Sequence, residues 1–333
     1  MAMKTISIVT PCFNEEGNVR EVYARVRDAV AAAGKYRYEH IFIDNASTDN
    51  TFGVLKEIAE HDHNVKVIRN TRNFGHVRSP MHALHQTTGD CLIGVVADLQ
   101  DPPEMIPQLL EKWEEGYPVV ICVKTGSDEH GLMFWIRKQY YALVNRLSGI
   151  ETYQNFTGFG LFDRKVVDAI KRMNDPYPYF RGLVAEIGFP HYEFPYHQPV
   201  RTRGITKNNF YSLYDAAMLG ITNLSKVPLR LVSFAGFVGA FLSMFFGVCY
   251  FVYKLIFWNQ FSVGVAPLVI GMFFLASMQL LSLGIIGEYV GQIHTQIQNR
   301  PFAFEQARIN FEYGLGDPLL ADAVRVDEGE PRS

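Results

Sequence analysis

Short apolar runs alternate with amphipathic stretches along the N-terminal part of the chain. Runs rich in β-branched residues predict strands at 5–10, 40–44, 65–70, 91–97 and 119–123. Apolar positions at helical spacing predict helices near 16–33, 51–61, 77–87 and 103–115. Strands that alternate with helices are typical of a mostly parallel sheet covered by helices, so this part of the chain is predicted to be an α/β domain.

Two much longer uncharged runs follow, at 232–253 and 261–287. A helix rises about 1.5 Å per residue, so even the shorter run would extend roughly 33 Å, enough to cross a hydrocarbon core about 30 Å thick. Buried helices of a soluble protein are the alternative. Two adjacent runs rich in Phe, Leu, Gly and Met fit that alternative poorly, and we predict transmembrane helices at 231–258 and 261–287.

The distribution of basic residues predicts how these two spans are oriented. Lys226 and Arg230 precede the first run and Arg300 follows the second, whereas the connection WNQFSVG contains neither Lys nor Arg. The positive-inside rule then predicts a multi-pass protein of the inner, cytoplasmic membrane, with the N-terminal domain and both termini in the cytoplasm. The formal net charge of −3 argues against a nucleic-acid partner.

These patterns divide the chain into further segments around the spans. We predict that the α/β domain occupies 1–208 and that 288–333 is a cytoplasmic C-terminal segment with a disordered tail. Residues 209–230 combine aromatic, small apolar and basic residues. They are assigned to an amphipathic helix in the plane of the membrane interface, although an ordinary domain helix has the same periodicity.

Polar loops follow the first four predicted strands, with the sequences PCFNEEGN, DNASTDNT, TRNFGH and DLQDPPE. Ligands of open α/β sheets bind at the carboxyl ends of the strands, where these loops lie. Helix capping would explain one polar residue per loop, such as Asn14, Ser47 or Asp49. It does not explain acids and amides in all four loops, so a binding site is expected at this edge.

Nine motifs in order resemble those of a known family: SIVTPCFNEE, IDNASTDNT, RNFGH, ADLQDPPE, GFGLFDRKVV, FRGLVAEIGF, RTRGITK, SKVPLR and GIIGEYVGQIHTQIQNRP. The chain resembles the membrane-anchored family 2 glycosyltransferases that act on polyprenyl phosphates, such as dolichyl-phosphate mannose synthase and the bactoprenol glucosyltransferases. The resemblance implies a Rossmann-like glycosyltransferase-A domain followed by interfacial helices and two transmembrane helices.

The resemblance also implies which residues bind a nucleotide sugar. They are Pro11, Asn14, Glu15, Asp44, Ser47, Asp98 and Lys207. Asp44 matches the acid that binds the base and ribose, and a buried carboxylate can accept directed hydrogen bonds from a base N–H. The resembling enzymes usually have a second acid next, where this chain has Asn45. Lys207 is equally well explained as part of a solvated basic patch near anionic lipid.

The motif ADLQDPPE matches the metal-binding region of the resembling enzymes, whose pattern is Asp-x-Asp-x-Gln. This chain keeps Asp98 and Gln100 but has Val96 in place of the first acid. The resemblance implies Mg²⁺ or Mn²⁺ bound by Asp98 and Gln100, with Asp101 as a supporting ligand. Hard oxygen ligands suit these ions, and a diphosphate and water would supply the remaining ligands.

Three residues match positions at the acceptor phosphate or the reaction centre of the family: Arg137, Arg201 and Asp163. The two arginines would neutralise the phosphate. Asp163 would act as a base or orient the acceptor, but it also suits a cap for the helix that begins near 165. Many relatives carry Asp-Phe-Arg-Leu where this chain has Gly158 and Gly160 in the sequence GFGL.

Together these observations predict an inverting glycosyltransferase that moves one sugar from UDP-glucose or another UDP-hexose to undecaprenyl or another polyprenyl phosphate, for modification of a cell-envelope polysaccharide or lipopolysaccharide. Its partners would be the nucleotide-sugar donor, the lipid acceptor and the bilayer. By analogy with resembling enzymes, the protein would form a homotetramer. A processive polysaccharide synthase is one alternative, although its Gln-x-x-Arg-Trp signature is absent. A catalytically silent membrane scaffold is the other, motivated by Val96, Asn45 and Gly158.

Overall fold

The computed structural model describes residues 3–124, 153, 156–197, 226–257 and 265–311. The described elements belong to two compact units, an α/β unit and a unit of two long helices. The strands are β1 (Thr5–Cys12), β2 (Arg37–Asp44), β3 (Val65–Asn70), β4 (Cys91–Gly94), β5 (Val119–Lys124), β6 (Phe156–Asp163), β7 (His191–Tyr196) and β8 (Glu305–Ile309). The helices are α1 (Val19–Ala33), α2 (Thr51–His61), α3 (Gly75–His85), α4 (Ile106–Glu114), α5 (Arg164–Met173), α6 (Phe180–Ile187), α7 (Val227–Ile256) and α8 (Val265–Gln298), and a single 3₁₀ turn, Pro103–Met105, precedes α4.

The described strands form one sheet in the order β7-β5-β6-β4-β1-β2-β3-β8. Neighbours β1 with β2, β1 with β4, β2 with β3 and β5 with β7 are parallel, whereas β6 and β8 run antiparallel to their neighbours. The predicted α/β sheet is therefore confirmed. The first four strands end side by side, at Cys12, Asp44, Asn70 and Gly94. We call this side of the sheet the carboxyl edge.

Helices cover both faces of the sheet because each presents an apolar stripe. On α1, for example, Val19, Val22, Val26 and Val30 are buried at spacings of three and four residues. This helix ends at Gly34, whose φ of 68° is a left-handed conformation that glycine adopts without strain. Apolar residues of α1, α2 and α4 form one core layer, and those of α3, α5 and α6 form the other.

Strand β8 comes from the segment that follows the second long helix, and it pairs with β3 at the edge of the sheet. Its first residue, Glu305, has a buried side chain that lies 2.5 Å from His82 Nε2 on α3 and accepts a hydrogen bond of 2.7 Å from Arg308 Nε. Asn310 Nδ2 donates to the carbonyl oxygens of Ala59 and Val65. The predicted domain boundary at 208 therefore misses one strand, because a five-residue strand so far along the chain carries no local signal of its partner.

The carboxylate of Glu305 should make the stability of the α/β unit depend on pH. Burial alone would raise its pKa, but the hydrogen bonds from Arg308 and His82 outweigh burial and lower the pKa from 4.5 to about 2. A depressed pKa stabilises the folded state at pH values above 4.5, and this contribution is lost as the pH falls from there towards 2. The melting temperature of Glu305→Gln should therefore lie below that of the wild type at pH 7, and the difference should narrow below pH 4.5.

The measurement is thermal unfolding of the full-length protein in neutral detergent at several pH values. Glu57→Gln is a matched control, because the Glu57 side chain is 56% exposed and its ion pair with Arg20 lies on the surface. A Glu305→Gln protein whose melting temperature follows that of the wild type at every pH would contradict the assigned role.

Helices α7 and α8 form the described part of the second unit. Each contains a stretch long and apolar enough to cross a membrane, Val227–Cys249 and Gly271–Gln298, and neither stretch is buried within the described structure. This favours membrane spans over core helices of a soluble protein. Helix α7 begins before the predicted start at 231, and α8 continues eleven residues beyond the predicted end at 287. Most of the predicted interfacial helix, 209–225, lies outside the described residues.

Candidate active site

The loops after β1 and β2 are tied together at the carboxyl edge. The backbone N–H of Asn14 donates to Ser47 Oγ at 2.9 Å, and Asn14 Oδ1 accepts from the N–H of Thr48 at 2.8 Å. The N–H of Glu15 donates to Thr51 Oγ1, also at 2.9 Å. Asn14 has a φ of 57°, a left-handed conformation that asparagine tolerates better than most residues. The structure thus brings the predicted residues Asn14, Glu15 and Ser47 together.

Pro11 and Asp44 lie beside this loop pair. Pro11 is the penultimate residue of β1 and pairs in register with Ile43, directly before Asp44. The Asp44 side chain is fully buried, and its Oδ1 accepts from the N–H of Ser47 at 3.1 Å. Its Oδ2 lies 3.6 Å from Arg69 Nε and has no hydrogen-bond partner among the described residues. This carboxylate oxygen at the carboxyl edge is therefore shielded from solvent and lacks a hydrogen-bond donor among the described residues.

The protonation of Asp44 reflects this environment. Burial raises the pKa of its carboxyl, while the hydrogen bonds from Ser47 and the charge of Arg69 oppose the increase. A buried acceptor without a donor is costly, and a donor from a ligand would remove that cost. A further hydrogen bond to Asp44 Oδ2 would therefore be favourable.

Unlike Asp44, Asn45 uses both ends of its side chain for hydrogen bonds within the protein. This role was not apparent from the sequence. Its Nδ2 donates to Asn73 Oδ1 at 2.9 Å and to the carbonyl oxygen of Gly75 at 3.2 Å. Its Oδ1 accepts from Asn70 Nδ2 at 3.0 Å and from the N–H of Phe74 at 2.9 Å. The side chain therefore fixes the β3–α3 loop to the end of β2. In the sequence, the only indication of this network is that positions 45, 70 and 73 are all asparagine.

The turn after β4 carries Asp98 and Gln100. Val95 and Ala97 are buried, whereas Val96 is 37% exposed, so Val96 lies outside the core. Asp98 is also only partly buried, and its Oδ1 accepts from the N–H of Gln100 at 3.2 Å. Leu99 between them has a φ of 61°, which makes the turn tight. Asp98 and Gln100 thus lie together just beyond the carboxyl edge.

Asp101 lies in the same turn but is only 3% exposed. Its Oδ1 accepts a hydrogen bond of 3.2 Å from Tyr196 OH at the end of β7, and the backbone N–H of Val96 also donates to its carboxylate. Burial and, secondarily, the charge of Asp98 raise the pKa of Asp101 to about 7. These contacts assign Asp101 to bracing the turn, with Asp98 as the more accessible carboxylate.

The structure places Asp163 away from the other predicted residues. Strand β6 runs antiparallel to β4, so Gly160 pairs with Gly94 at the carboxyl edge, whereas Asp163 pairs with Cys91 at the opposite end. Three residues of strand separate the two positions by roughly 10 Å. Asp163 caps α5 by accepting from the N–H of Lys165 at 3.0 Å, and it also accepts from Trp113 Nε1 at 2.7 Å. The catalytic role predicted for Asp163 is therefore replaced by a structural one.

Backbone geometry explains the two glycines of the same strand. Gly158 has a φ of 108°, a conformation that side chains of L-residues rarely adopt. A Cβ atom at Gly160 would lie 2.4 Å from the carbonyl oxygen of Val120 on β5. The acid and arginine that many resembling enzymes carry here would thus require a different backbone.

Substitution of Asp163 tests the corrected role. Asp163→Ala removes the cap and leaves the buried indole N–H of Trp113 without its acceptor, so it should lower the free energy of unfolding by about 2–4 kcal/mol. The sugar transfer that the resemblance implies, measured per folded molecule, should stay within about twofold of the wild type. Asp163→Asn is the control, since asparagine caps helices as well as aspartate. Loss of transfer by 100-fold or more in Asp163→Asn would instead restore the catalytic role.

The remaining predicted residues, Arg137, Arg201 and Lys207, lie outside the described residues. Their roles stay predictions that follow from the resemblance. The geometry of the carboxyl edge accordingly rests on the loops after β1, β2, β3 and β4.

Comparison with known proteins identifies the family of this chain. The model described as Glycosyl transferase family 2 matches residues 7–171. The uncharacterized glycosyltransferase YkcC of Bacillus subtilis strain 168 is 34% identical over 312 residues, covering 92% of this chain and 94% of its own. The bactoprenol glucosyl transferase of Shigella phage SfII is 33% identical over 297 residues, covering 89% of this chain and 96% of its own. The chain belongs to glycosyl transferase family 2.

As a member of glycosyl transferase family 2, the protein is a glycosyltransferase, which confirms the predicted enzyme class and the glycosyltransferase-A type of its sheet. Among solved structures, glucosyl-3-phosphoglycerate synthase from Mycobacterium tuberculosis in complex with UDP is similar at 20% identity and a TM-score of 0.45. That likeness covers 67% of this chain and 79% of the other.

The side-chain oxygens in the turn after β4 of this family 2 glycosyltransferase suit a divalent ion that a bound ligand also coordinates. Asp98 and Gln100 present carboxylate and amide oxygens, the chemistry that Mg²⁺ and Mn²⁺ prefer. Within the described ranges, no three His, Cys, Asp or Glu side chains are placed to hold a metal. If Asp98 and Gln100 hold such an ion, a diphosphate and water would supply the remaining ligands.

Proposed function

We propose that this family 2 glycosyltransferase moves one sugar from UDP-glucose or another UDP-hexose to undecaprenyl or another polyprenyl phosphate at the cytoplasmic face of the membrane. The carboxyl edge carries this proposal, because a buried oxygen of Asp44 lacks a hydrogen-bond donor there among the described residues and Asp98 follows β4, two strand positions away in the sheet. The relatives named bactoprenol glucosyl transferase support a polyprenyl acceptor. The two candidate spans support action at a membrane.

The spacing of the two acids suits one nucleotide. Strand β1 separates β2 from β4, and neighbouring strands lie about 4.8 Å apart, so the ends of β2 and β4 are roughly 10 Å apart. Asp44 would accept a hydrogen bond from the base or ribose. Asp98 and Gln100 would bind at the diphosphate end. The Asn14–Ser47 contact would hold the wall of the pocket between them.

The reaction needs positioning more than proton abstraction. An oxygen of the lipid phosphate attacks the anomeric carbon, the bond from that carbon to the UDP oxygen breaks, and UDP leaves as the configuration inverts. The attacking phosphate is already an anion near neutral pH, so a base such as Asp163 is not required. Arg137 and Arg201, with Lys207, are proposed to neutralise the acceptor phosphate.

We include Mg²⁺ or Mn²⁺ in the proposal, held by Asp98 and Gln100 and neutralising charge on the diphosphate. Asp101 would hold the turn in place through Tyr196 rather than bind the ion. The homotetramer suggested by analogy with resembling enzymes stays a prediction. So do the cytoplasmic positions of both termini.

The test is a transfer assay with the purified full-length protein, undecaprenyl phosphate, Mg²⁺ or Mn²⁺, and a panel of radiolabelled nucleotide sugars. The proposal expects a lipid carrying a single sugar from a UDP-hexose. No lipid-linked sugar with any donor would overturn it, and a polymeric product would indicate a processive synthase. Omission of the divalent ion should abolish most turnover.

A further inference from the structure

Three arginines gather where β3 leads into α3. The Cζ of Arg72 lies 4.0 Å from the ring centroid of Phe74, and the Cζ of Arg78 lies 5.5 Å from the same centroid. Arg78 Nη2 also donates to the carbonyl oxygen of Pro301, the residue after Arg300. The segment that follows α8 thus brings a third guanidinium to the first two.

This positive charge has no matching carboxylate within the part of the chain that the structure describes. Neither Arg72, Arg78 nor Arg300 has a described Asp or Glu oxygen within the 4.0 Å of an ion pair. Most of the other described arginines of the α/β unit do have one, for example Arg25 and Arg308. The Nε atom of Arg78 is buried and lacks a hydrogen-bond partner there.

The three charges act on one another. Burial first, and then the charges of Arg72 and Arg300, lower the pKa of Arg78, with a smaller opposing effect from Tyr177. Like charges kept close together without a counter-charge repel, and an anion from outside the chain would remove that repulsion. The geometry is therefore that of a site for an anionic group.

An exposed aromatic side chain lies beside the arginines. Phe304 is 53% exposed, its ring centroid lies 6.1 Å from that of Phe74, and its carbonyl oxygen accepts from the N–H of Thr71 at 2.9 Å. This hydrogen bond fixes the main chain of Phe304, and about half of the residue is exposed. An exposed aromatic ring among guanidinium groups is the combination found on surfaces that bind the membrane interface.

One of the three arginines is close in sequence to a candidate span. Arg300 is the second residue after Gln298, the last residue of α8. A residue so close in sequence to the end of a membrane helix lies near the headgroup region, where anionic lipid attracts basic side chains. This step rests on the membrane placement in the proposed function.

We propose that Arg72, Arg78, Arg300 and Phe304 form a docking surface for the phosphate headgroups of anionic phospholipids, with the Phe304 ring contacting the acyl boundary. We call it the arginine surface. It differs from the acceptor site because it needs no polyprenyl chain and no sugar transfer. Since Arg72 and Phe74 belong to the loop that Asn45 holds, lipid bound here would fix the β3–α3 loop beside the carboxyl edge.

The experiment measures lipid binding to the full-length protein in neutral detergent by native mass spectrometry, with phosphatidylglycerol as the probe and phosphatidylcholine as its neutral counterpart. The wild type should bind phosphatidylglycerol in preference. Each basic residue at a membrane surface changes the affinity about fivefold, so Arg78→Gln/Arg300→Gln should weaken the tightest phosphatidylglycerol site about 30-fold. Unchanged binding in this variant would overturn the proposal.

The matched control is Arg27→Gln/Arg172→Gln, which removes the same charge at two exposed positions and should keep wild-type binding. Arg78 also hydrogen-bonds to Pro301, so Arg300→Gln alone, at an exposed side chain, guards against misfolding and should weaken binding about fivefold. Loss of lipid in the control variant as large as in the test variant would mean that only net charge matters, and would reject the surface.

Competition identifies the source of the phosphate. Displacement of phosphatidylglycerol by millimolar inorganic phosphate would show a small-anion site and reject a lipid occupant. Displacement by an equimolar short-chain polyprenyl phosphate would assign the site to the acceptor and likewise reject the proposal. Phosphatidylglycerol binding that neither competitor displaces supports the proposal. Because native mass spectrometry needs no turnover, an enzyme inactive with every donor would refute the proposed function while leaving this binding result intact.

Discussion

Asp98→Asn is expected to lower kcat/KM for lipid-linked sugar formation by about 10²- to 10³-fold, the scale of losing one ligand that helps to hold charge in the transition state. The loss should be large because Val96 stands where the first acid of the pattern would be, and Asp101 is 3% exposed and bonded to Tyr196. Asp98 is then the one accessible carboxylate in this turn. Initial rates measured over a range of Mg²⁺ and Mn²⁺ concentrations should show a higher half-saturating concentration for the variant.

Two further variants separate charge from ligation. Glu104→Gln removes an acid six residues away whose side chain is 58% exposed and paired with Arg25, and it should keep transfer within about twofold. The carboxylate of Asp101 accepts from both Tyr196 OH and the Val96 N–H, and Asp101→Asn keeps only one side-chain oxygen for these two donors. The variant should therefore have a lower melting temperature, with a metal dependence close to wild type. If Asp101→Asn raised the half-saturating metal concentration and Asp98→Asn did not, the two roles would have to be exchanged.

The parallel core of the sheet was predictable because its signals are local. Predicted strands at 65–70 and 119–123 and the helix at 51–61 agree closely with β3, β5 and α2. Each is a short apolar run or a helical stripe bounded by polar residues, and alternation of such runs dictates parallel pairing. The rule that loops at the carboxyl ends bind ligands then brought Asn14, Asp44 and Asp98 to one edge without any knowledge of tertiary contacts.

Strand direction was not predictable in the same way, and this explains the error at Asp163. A motif gives the order of residues along the chain, but an antiparallel strand carries its last residue to the opposite edge of the sheet. Strand β6 enters between β4 and β5, so its start at Phe156 is near the carboxyl edge and its end is not. The same limitation hid β8, whose partner β3 lies more than 230 residues earlier.

The amide network was missed because an asparagine after a strand has the same sequence signal whether it faces a ligand or the protein. In the sequence, Asn45 replaces the second acid of resembling enzymes, and this replacement favours a catalytically silent scaffold. Its four hydrogen bonds show that both ends of the side chain are used within the protein. Asn73 and Gly75 both present acceptor oxygens to the side chain at position 45. Their places in the folded structure show that an amide fits there better than a carboxylate.

Asn45→Asp, which introduces the acid that resembling enzymes carry, is therefore expected to damage this protein. The amide N–H₂ of Asn45 donates to two acceptors, Asn73 Oδ1 and the Gly75 carbonyl, and a carboxylate oxygen in its place would repel both. Losing both of these partly buried hydrogen bonds and placing a carboxylate beside two acceptors should cost about 1–3 kcal/mol of unfolding free energy. Thermal unfolding measures this loss, and the donor KM should rise because the β3–α3 loop loses its attachment to the end of β2.

The pH dependence of this variant distinguishes lost hydrogen bonds from general disruption. The introduced carboxyl would lie among acceptors, so its pKa should be raised in the folded state, and protonation would restore one O–H donor towards Asn73. The stability deficit should therefore be largest at neutral pH and shrink as the pH falls. Asn50→Asp is the matched control, because Asn50 is the exposed residue before α2 and its side chain makes no capping hydrogen bond. Asparagine and aspartate are equally favourable at such a position, so this variant should change stability by less than about 0.5 kcal/mol. A deficit in Asn45→Asp that does not change with pH would contradict the network as the cause.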